Sequence, residues 1–152
     1  MNVEMELSRV LILDSSAEQF ITLEEKGGSR SFAIKIGTAE ALAIERRLRG
    51  ELPMRPQTHE LVDNMMRGLG GELVSIIIHR LVEGTYFASV VVRRTDAAGS
   101  ELFEIDARPS DAIALGVAHR VPIQVAEEVL LEAALERLEV EPPIEAGEDG
   151  DE

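Results

Sequence analysis

Three short segments of this 152-residue sequence place acidic, basic and hydroxyl side chains where an extended stretch gives way to a helix. They are Gly37–Glu40, Arg55–Glu60 and Asp106–Asp111. Carboxylates can hold a divalent cation, a histidine can move a proton, and arginines can clamp a phosphate group. Together these residue types point to hydrolysis of a phosphate ester, provided that the fold brings the three segments together.

The segment from Asp106 to Asp111 is the most specific of the three. Pro109 disfavours a helical conformation at the residue before it, so a helix is predicted to begin here. Ser110 can cap that helix, and Asp111 suits its positive end. These structural needs do not explain Asp106 and Arg108, which stand where a strand is expected to end. The chemical interpretation gives catalytic roles to Asp106 and Asp111, and substrate binding to Arg108 and Ser110.

The segment Arg55–Glu60 has the same form, with an arginine and a proline before a hydroxyl and an acidic first turn. Thr58 is predicted to cap a helix, and His59 then lies near the N-terminus, where the protonated imidazole is disfavoured. A neutral histidine there can act as a base or a metal ligand. The simpler alternative is an exposed histidine without a role. The chemical interpretation assigns His59 to catalysis, and Arg55 and Thr58 to substrate binding.

Glu40 lies in the first turn of the helix after Gly37, close to the position that Asp111 holds in the later segment. First-turn carboxylates commonly do no more than complement the helix dipole, which is worth about 0.3–1 kcal/mol. If the fold brought the two carboxylates together, they could instead bind Mg²⁺ or Mn²⁺, which favour oxygen ligands. Glu40 and Asp111 are therefore the candidate metal ligands, and Glu40 is also a catalytic candidate.

Alternation of apolar and polar residues predicts three strands in each half of the chain, each set followed by helices. Glycine and proline mark the ends of these elements. The predicted strands are 3–14, 19–25, 31–36, 72–83, 85–94 and 100–106, with a further short one at 122–125, and the predicted helices are 39–49, 58–69, 111–119 and 127–138.

The two halves can be laid over each other in the order three strands, helix, proline and helix. Phe32 then aligns with Phe103, and each half continues into a helix rich in alanine, leucine and isoleucine. We interpret this as an internal duplication of a strand-strand-strand-helix unit, with repeats at about 3–70 and 72–138; units of about 70 residues are too long for a solenoid. The predicted fold is therefore α+β, with a mostly antiparallel sheet and helices packed on one face.

Composition predicts one compact domain at 1–138, because 45% of the residues are hydrophobic and 29% are charged. The formal net charge is −14, and residues 139–152 include seven acidic and no basic side chains. That stretch is predicted to be a flexible acidic tail. An acidic body argues against a broad phosphate-binding surface but leaves room for a small basic site.

The same composition bears on the compartment. The chain has no cysteine, which excludes disulfides and thiolate chemistry and fits a reducing environment. No apolar run is long enough to cross a bilayer, and the acidic first residues lack the basic start of a secretory signal. We therefore predict a cytoplasmic protein that has no membrane partner.

Four sequence strings carry a family resemblance: Ile36–Ala41, Arg55–Leu61, Gly84–Ala88 and Asp106–Leu115. Over about residues 5–135 the chain resembles the bifunctional nuclease family, formerly a domain of unknown function. The resemblance implies a duplicated α/β fold and a homo-oligomer, a dimer or larger. It also implies a nuclease that acts on both DNA and RNA, and it brings no agreed catalytic residues with it.

Two functions of different classes remain open. The first is a metal-assisted phosphodiesterase, in which the carboxylates hold the ion, His59 is the base, and Arg55 and Arg108 clamp the phosphate. The second is a non-catalytic oligomeric module for a protein or a small anionic ligand, in which arginine–carboxylate pairs fix the loops. Carboxylates that converge in an open cleft would favour the first, and ion pairs closed off from solvent would favour the second.

Overall fold

The computed structural model describes residues 1–140 and contains one seven-stranded sheet. The predicted acidic tail lies outside the described residues from position 141 onward. The strands are β1 (Asn2–Leu11), β2 (Glu18–Glu25), β3 (Ser31–Gly37), β4 (Gly71–Val82), β5 (Thr85–Asp96), β6 (Gly99–Ala107) and β7 (Ile123–Ala126). Their order across the sheet is β3-β2-β1-β7-β4-β5-β6, and every neighbouring pair is antiparallel except β4 and β7.

Alternating side chains explain how this sheet acquires a covered face. In β3, Phe32, Ile34 and Ile36 are buried, whereas Ala33 and Lys35 between them are exposed. Successive residues of a strand point to opposite faces, so an apolar residue at every second position places one face against the core. The core is aliphatic, as the scarcity of aromatic residues requires.

The hairpin between β4 and β5 is fixed by its two turn residues. Glu83 and Gly84 both have positive φ values, 49° and 76°, which a tight two-residue turn with right-handed strand twist needs. Glycine adopts this conformation without steric cost. The turn therefore holds the start of β5 in a defined place, where it contributes to the cleft described below.

The short strand β7 joins the two parts of the sheet. It runs antiparallel to β1 on one side and parallel to β4 on the other. Three consecutive antiparallel strands lie on either side of it, and Pro122 just before it accepts a hydrogen bond from the Ile76 N–H at 3.0 Å. The arrangement places a late segment of the chain at the centre of the sheet.

Four helices accompany the sheet: α1 (Thr38–Leu48), α2 (Thr58–Gly68), α3 (Pro109–His119) and α4 (Glu127–Val140). α1 packs against α3, and α3 also lies on β4 and β5. Gly116 permits this close approach, because a Cβ atom there would lie only 3.3 Å from the Ile76 side chain. α3 thereby packs closely against β4.

The predicted helix caps are wrong. The N-cap positions are Gly37, Gln57 and Arg108, and none of them makes a side-chain capping bond. The hydroxyl of Thr38, the first residue of α1, accepts a hydrogen bond from the Gln19 side chain at 3.2 Å, because tertiary packing of β2 against α1 brings that amide close. Ser110 is the second residue of α3 and therefore lies inside the helix rather than at the N-cap position.

The predicted α+β class and the mostly antiparallel sheet are confirmed. The internal duplication stays a prediction, since the strand order alone does not establish a common origin of the two halves. In the described part of the chain, none of the helices is both long enough and apolar enough to cross a membrane.

Candidate active site

A cleft of about 460 Å³ opens where the end of β3 and the start of α1 face the β4–β5 turn and the start of α3. β3 and β5 are far apart in the strand order, yet Tyr86 stacks on Phe32 with ring centroids 5.6 Å apart. The sheet is therefore strongly curved, and the cleft lies in the gap that the curvature leaves. Its polar lining comes from Glu18, Lys35, Glu40, Thr85, Tyr86, Arg108 and Ser110.

Arg108 joins the starts of α1 and α3 at the wall of this cleft. Its Nη1 group donates to Glu40 Oε1 at 3.1 Å, and its Nε–H donates to Asp111 Oδ2 at 2.9 Å. Pro109 is the first residue of α3, which leaves Arg108 extended at the N-cap position. The Arg108 side chain remains 63% exposed, so it is open to solvent.

His59 extends this chain of contacts to the start of α2. Its Nε2 atom lies 2.9 Å from Asp111 Oδ1, on the carboxylate oxygen that Arg108 does not contact. Only 14% of the His59 side chain is exposed. The fold thus links the three helix starts singled out in the sequence through Glu40, Arg108, Asp111 and His59 in that order.

Electrostatics keeps both carboxylates ionised. The pKa of Glu40 is lowered by a hydrogen bond from its own backbone and by the Arg108 guanidinium. Burial opposes ionisation of Asp111, but hydrogen bonds from Arg108 and His59 outweigh it and lower the pKa of that carboxyl group. The pKa of Arg108 is raised by the same two carboxylates, mainly by Asp111. The site therefore holds two anions around one cation at neutral pH.

A metal ion would compete with Arg108 for the predicted ligands. Glu40 and Asp111 do converge, but they converge on one guanidinium group. Among residues 1–140, no three or more His, Cys, Asp and Glu side chains are grouped so as to hold a metal ion. The donor set as arranged does not fit Mg²⁺ or Mn²⁺ unless Arg108 turns away.

Ser110 gives the cleft a hydroxyl group beside a helix N-terminus. It lines the cleft although only 6% of the residue is exposed. Within the described residues, no hydrogen bond or ion pair is found for its side chain. The first intrahelical bond of α3 is donated by the Ala112 N–H, so the Ser110 and Asp111 N–H groups precede the hydrogen-bonded ladder. Such a helix start can bind an anion.

Three of the predicted site residues are not part of this cluster. Asp106 faces Ser89 across the sheet, whereas the next residue, Ala107, faces the fully buried Ala88. Because strand residues alternate in direction, Asp106 projects to the opposite side from the core. The prediction that it joins Glu40 and Asp111 is therefore corrected.

Arg55 and Thr58 are separated from the cleft as well. Both are exposed, Arg55 in the loop before α2 and Thr58 at its first position, and neither lines the cleft. Their predicted contact with a bound substrate would need the loop before α2 to move. Within residues 1–140, the arginine that forms ion pairs with Glu40 and Asp111 is Arg108.

Sequence reasoning missed Tyr86 as a member of the site. This single tyrosine of the chain lies in a string that carries the family resemblance, but a residue alternating within a strand gives no chemical signal. Burial raises the pKa of Tyr86 to about 12, so its hydroxyl stays protonated at neutral pH. It offers the cleft an aromatic wall.

Gly37 matters to the site because of the space that it leaves. A Cβ atom there would lie 2.3 Å from Glu40 Oε2, so a side chain at this position would displace the carboxylate. The glycine therefore lets the Glu40 side chain fold back towards its own helix start. In that position Glu40 Oε1 accepts the hydrogen bond from Arg108 Nη1.

A second polar network lies behind the cleft among the helices. Arg47 of α1 donates from Nε to the Ala114 carbonyl oxygen at 2.7 Å and from Nη2 to Asp63 Oδ2 at 2.6 Å. Asp63 Oδ1 lies 2.9 Å from His119 Nε2, and Glu60 pairs with Arg46. The network connects α1, α2 and α3.

Comparison with known proteins shows the family. The model of the bifunctional nuclease domain matches residues 21–137. Two uncharacterized proteins of Mycobacterium tuberculosis are each 37% identical over 115 residues, which cover 76% of this chain and 66% of each relative. The chain thus spans less than two thirds of the length of these relatives. Bifunctional nuclease 1 of Arabidopsis thaliana is 35% identical over 71 residues, which cover 47% of this chain and 22% of that protein. The chain belongs to the bifunctional nuclease domain family.

Proposed function

We propose that the chain is a nuclease that hydrolyses phosphodiester bonds of DNA and RNA, with its active site formed by the three helix starts and the cleft beside them. Family membership and the name of the Arabidopsis relative support the reaction class. The observation that carries the proposal is the pairing of His59 with Asp111, whose second oxygen is held by Arg108. An oriented imidazole beside an arginine is suited to hydrolysis of a phosphate ester.

His59 acts as the general base in this proposal. Its Nε2 atom faces an ionised carboxylate and therefore carries the proton in the neutral imidazole, which leaves Nδ1 to accept a proton from water. Asp111 fixes that tautomer and stabilises the imidazolium that forms. Such positioned proton transfer contributes roughly 100- to 10,000-fold to a rate.

Arg108, Ser110 and the start of α3 bind the phosphate. Two nitrogen atoms of Arg108 are bonded to Glu40 and Asp111, and its Nη2 group remains for a phosphate oxygen. The Ser110 hydroxyl and the first N–H groups of α3 supply further donors. Tyr86 provides an aromatic face on which a base can stack.

The predicted Mg²⁺ or Mn²⁺ belongs to an alternative arrangement of the same site. In it Arg108 swings out, which its 63% exposure permits, and Glu40 and Asp111 become ligands of the ion. Divalent ions would then stabilise charge at the phosphate. Activity that is lost with a chelator and restored by Mn²⁺ would select this arrangement over the metal-free one.

The test uses purified full-length chain with end-labelled single-stranded DNA, duplex DNA and RNA, each with and without Mn²⁺ and with and without chelator. We expect cleavage by the wild type and at least a 100-fold loss in His59→Ala and Asp111→Asn. His79→Ala is the matched control, because His79 is exposed in β4 and makes no hydrogen bond or ion pair with Glu40, Arg108 or Asp111. Equal cleavage by wild type and His59→Ala would refute the mechanism.

A non-catalytic module for a small anionic ligand or a protein is the second candidate. The observation that favours it is the pairing of Arg108 with two carboxylates, since ion pairs of this kind can serve simply to fix helix starts. Calorimetric titration of the chain with pyrophosphate, with Ser110→Ala as the comparison, would support this candidate if binding occurred without any cleavage.

Nucleic acid is the partner that follows from the proposed reaction, and we propose a cytoplasmic location, which a chain without cysteine fits. Cell fractionation with antibody detection tests the location. Because the net charge is −14, nucleic acid is expected to contact only a small part of the surface. Few phosphate groups are then neutralised, so the affinity should fall only slightly as the salt concentration rises.

A further inference from the structure

β6 forms one edge of the sheet and leaves the backbone groups on its outer side without a partner strand. Within residues 1–140 it pairs with β5 alone, and the register runs without a shift over all nine residues. Its first eight residues are exposed, and the strand has no lysine, proline or bulge of the kind that commonly blocks such an edge. β6 is therefore open to pairing with an extended segment of another protein.

An apolar groove of about 450 Å³ lies beside this edge, between α2 and the strands β5 and β6. Phe103 and Ile105 line the groove from β6, and α2 with its C-cap contributes Val62, Met65 and Leu69. All five residues are between 37% and 73% exposed. Grouped apolar side chains that remain this exposed commonly mark an interaction surface.

The opposite face of β6 carries carboxylates. Glu104 and Asp106 alternate with the two groove residues and therefore point to the other side of the sheet. Glu101 is a third acidic residue of the strand, but it lies opposite Arg94 of β5. Within residues 1–140, no ion pair or side-chain hydrogen bond is found for any of the three carboxylates. The negative charge without a basic residue opposite it is therefore that of Glu104 and Asp106.

We propose that this edge and groove bind an extended segment of a partner protein in which apolar and basic residues alternate. Added to β6 as one more strand, the segment pairs with the free backbone groups and continues the sheet. Its side chains alternate between the two faces, so every second residue lies beside Phe103 and Ile105 at the groove. The residues between them lie beside Glu104 and Asp106 on the opposite face. The pattern of β6 therefore defines the pattern of its partner.

Charge distinguishes this partner from a second copy of the chain. β6 of another copy would bring its own three carboxylates to the edge, and like charges on neighbouring strands are destabilising. The chain carries a net charge of −14, so a basic segment is also attracted over a longer distance. An uncharged apolar segment would fill the groove but would leave Glu104 and Asp106 without partners.

The binding surface is separate from the proposed active site. Among residues 1–140, the groove and the cleft share no lining residue. Binding of the basic segment therefore does not rest on nuclease activity, and a chain that cleaves no nucleic acid is still expected to bind it.

A synthetic nine-residue peptide that alternates valine with lysine matches the length of β6 and serves as the probe. We expect saturable binding of the labelled peptide to the full chain by fluorescence anisotropy, and a Kd at least about tenfold higher for Glu104→Lys/Asp106→Lys. A peptide with glutamate in place of lysine should prefer that double variant. Glu128→Lys/Glu132→Lys is the matched control, because it changes the net charge equally on exposed positions of α4. Equal Kd values for the two double variants would overturn the proposal.

N-methylation of the peptide tests whether it binds as a strand. Alternate N–H groups of an added strand face β6, so methylation of one alternate set should abolish binding and methylation of the other set should leave it largely intact. Loss of binding with both sets, or with neither, would exclude strand addition.

The groove is tested by a pair of variants with matched exposure. Met65 on α2 is 57% exposed and Leu135 on α4 is 56% exposed. Met65→Ala should weaken peptide binding severalfold because it removes apolar contact area, whereas Leu135→Ala should not. Equal effects would remove the groove from the binding surface. Sedimentation equilibrium without peptide separates a second copy from the proposed partner: self-association that Met65→Ala weakens, together with no peptide binding, would contradict the proposal.

Discussion

Two chains of contacts in this protein contain the same three residue types in the same order. At the cleft Arg108 binds Asp111, which binds His59; behind it Arg47 binds Asp63, which binds His119. The first arginine is 63% exposed and the second 6%. Identical chemistry therefore occurs once at a surface and once inside the helical layer.

Burial determines what each chain of contacts can do. The inner arginine uses its donors on Asp63 and on the Ala114 carbonyl group, so the network is complete and holds helices together. A buried pair of this kind is costly to break, because the remaining charge is left without a partner. At the cleft Arg108 and Ser110 keep donors for a ligand. A functional site is thus distinguished from a structural one by its unused hydrogen-bonding capacity.

The largest expected effect comes from removing the inner arginine. Arg47→Ala leaves Asp63 buried with His119 as its remaining partner, and should lower the free energy of unfolding by about 3–5 kcal/mol. Arg108→Ala removes exposed pairs and should cost at most about 1 kcal/mol. Urea denaturation followed by circular dichroism measures both. Equal losses would show that burial does not separate the two networks.

Replacing the two histidines should have opposite consequences. His119→Ala removes one hydrogen bond to the buried Asp63 and should cost about 1–3 kcal/mol of stability, with cleavage unchanged. His59→Ala should abolish most of the cleavage at a smaller cost in stability. The pair of variants is measured by thermal unfolding and by the nuclease assay. A large activity loss in His119→Ala would place the inner network in the mechanism.

Gly37→Ala tests the positioning of Glu40 with a smaller change. The backbone of Gly37 has a φ of −78°, which alanine adopts readily, so any effect arises from the new methyl group pushing the carboxylate aside. We expect a change in unfolding free energy below about 1 kcal/mol and a severalfold fall in phosphate affinity. In the Glu40→Gln background the same substitution should have less effect, and full additivity would contradict this explanation.

The smallest effect is the dependence of the Arg108 contribution on pH. Arg108 lowers the folded-state pKa values of Glu40 and Asp111 below their ordinary values of 4.5 and 3.8. Its stabilisation is therefore present above about pH 4.5 and is lost as the pH falls through the lower folded-state values. The stability difference between wild type and Arg108→Ala should therefore shrink as the pH falls below the ordinary pKa values of these two carboxyl groups. A difference that does not shrink would have to come from packing rather than charge.

Much of the fold could be predicted because its signals are local. Alternation in Phe32–Ile36, the turn at Gly84 and the break at Pro109 each depend on neighbouring residues only. The meeting of Glu40 with Arg108 spans 68 positions in sequence and depends on how α1 packs against α3, which no local pattern encodes. The placement of Asp106 depends on which face of β6 meets the core, and only the structure shows that its neighbour Ala107 is the residue packed against the core.

The central position of β7 has a consequence for how the protein is made. The six other strands are synthesised before Ile123–Ala126, yet β1 and β4 can pair with β7 only after that segment has left the ribosome. Until then the nascent chain carries two incomplete sheets, each with an open side that can pair with other chains. A translational pause before position 123 is therefore expected to favour aggregation, whereas a pause after position 126 has been exposed should be harmless. The two sets of three strands can therefore join into one sheet only after β7, the shortest of the described strands, has been synthesised.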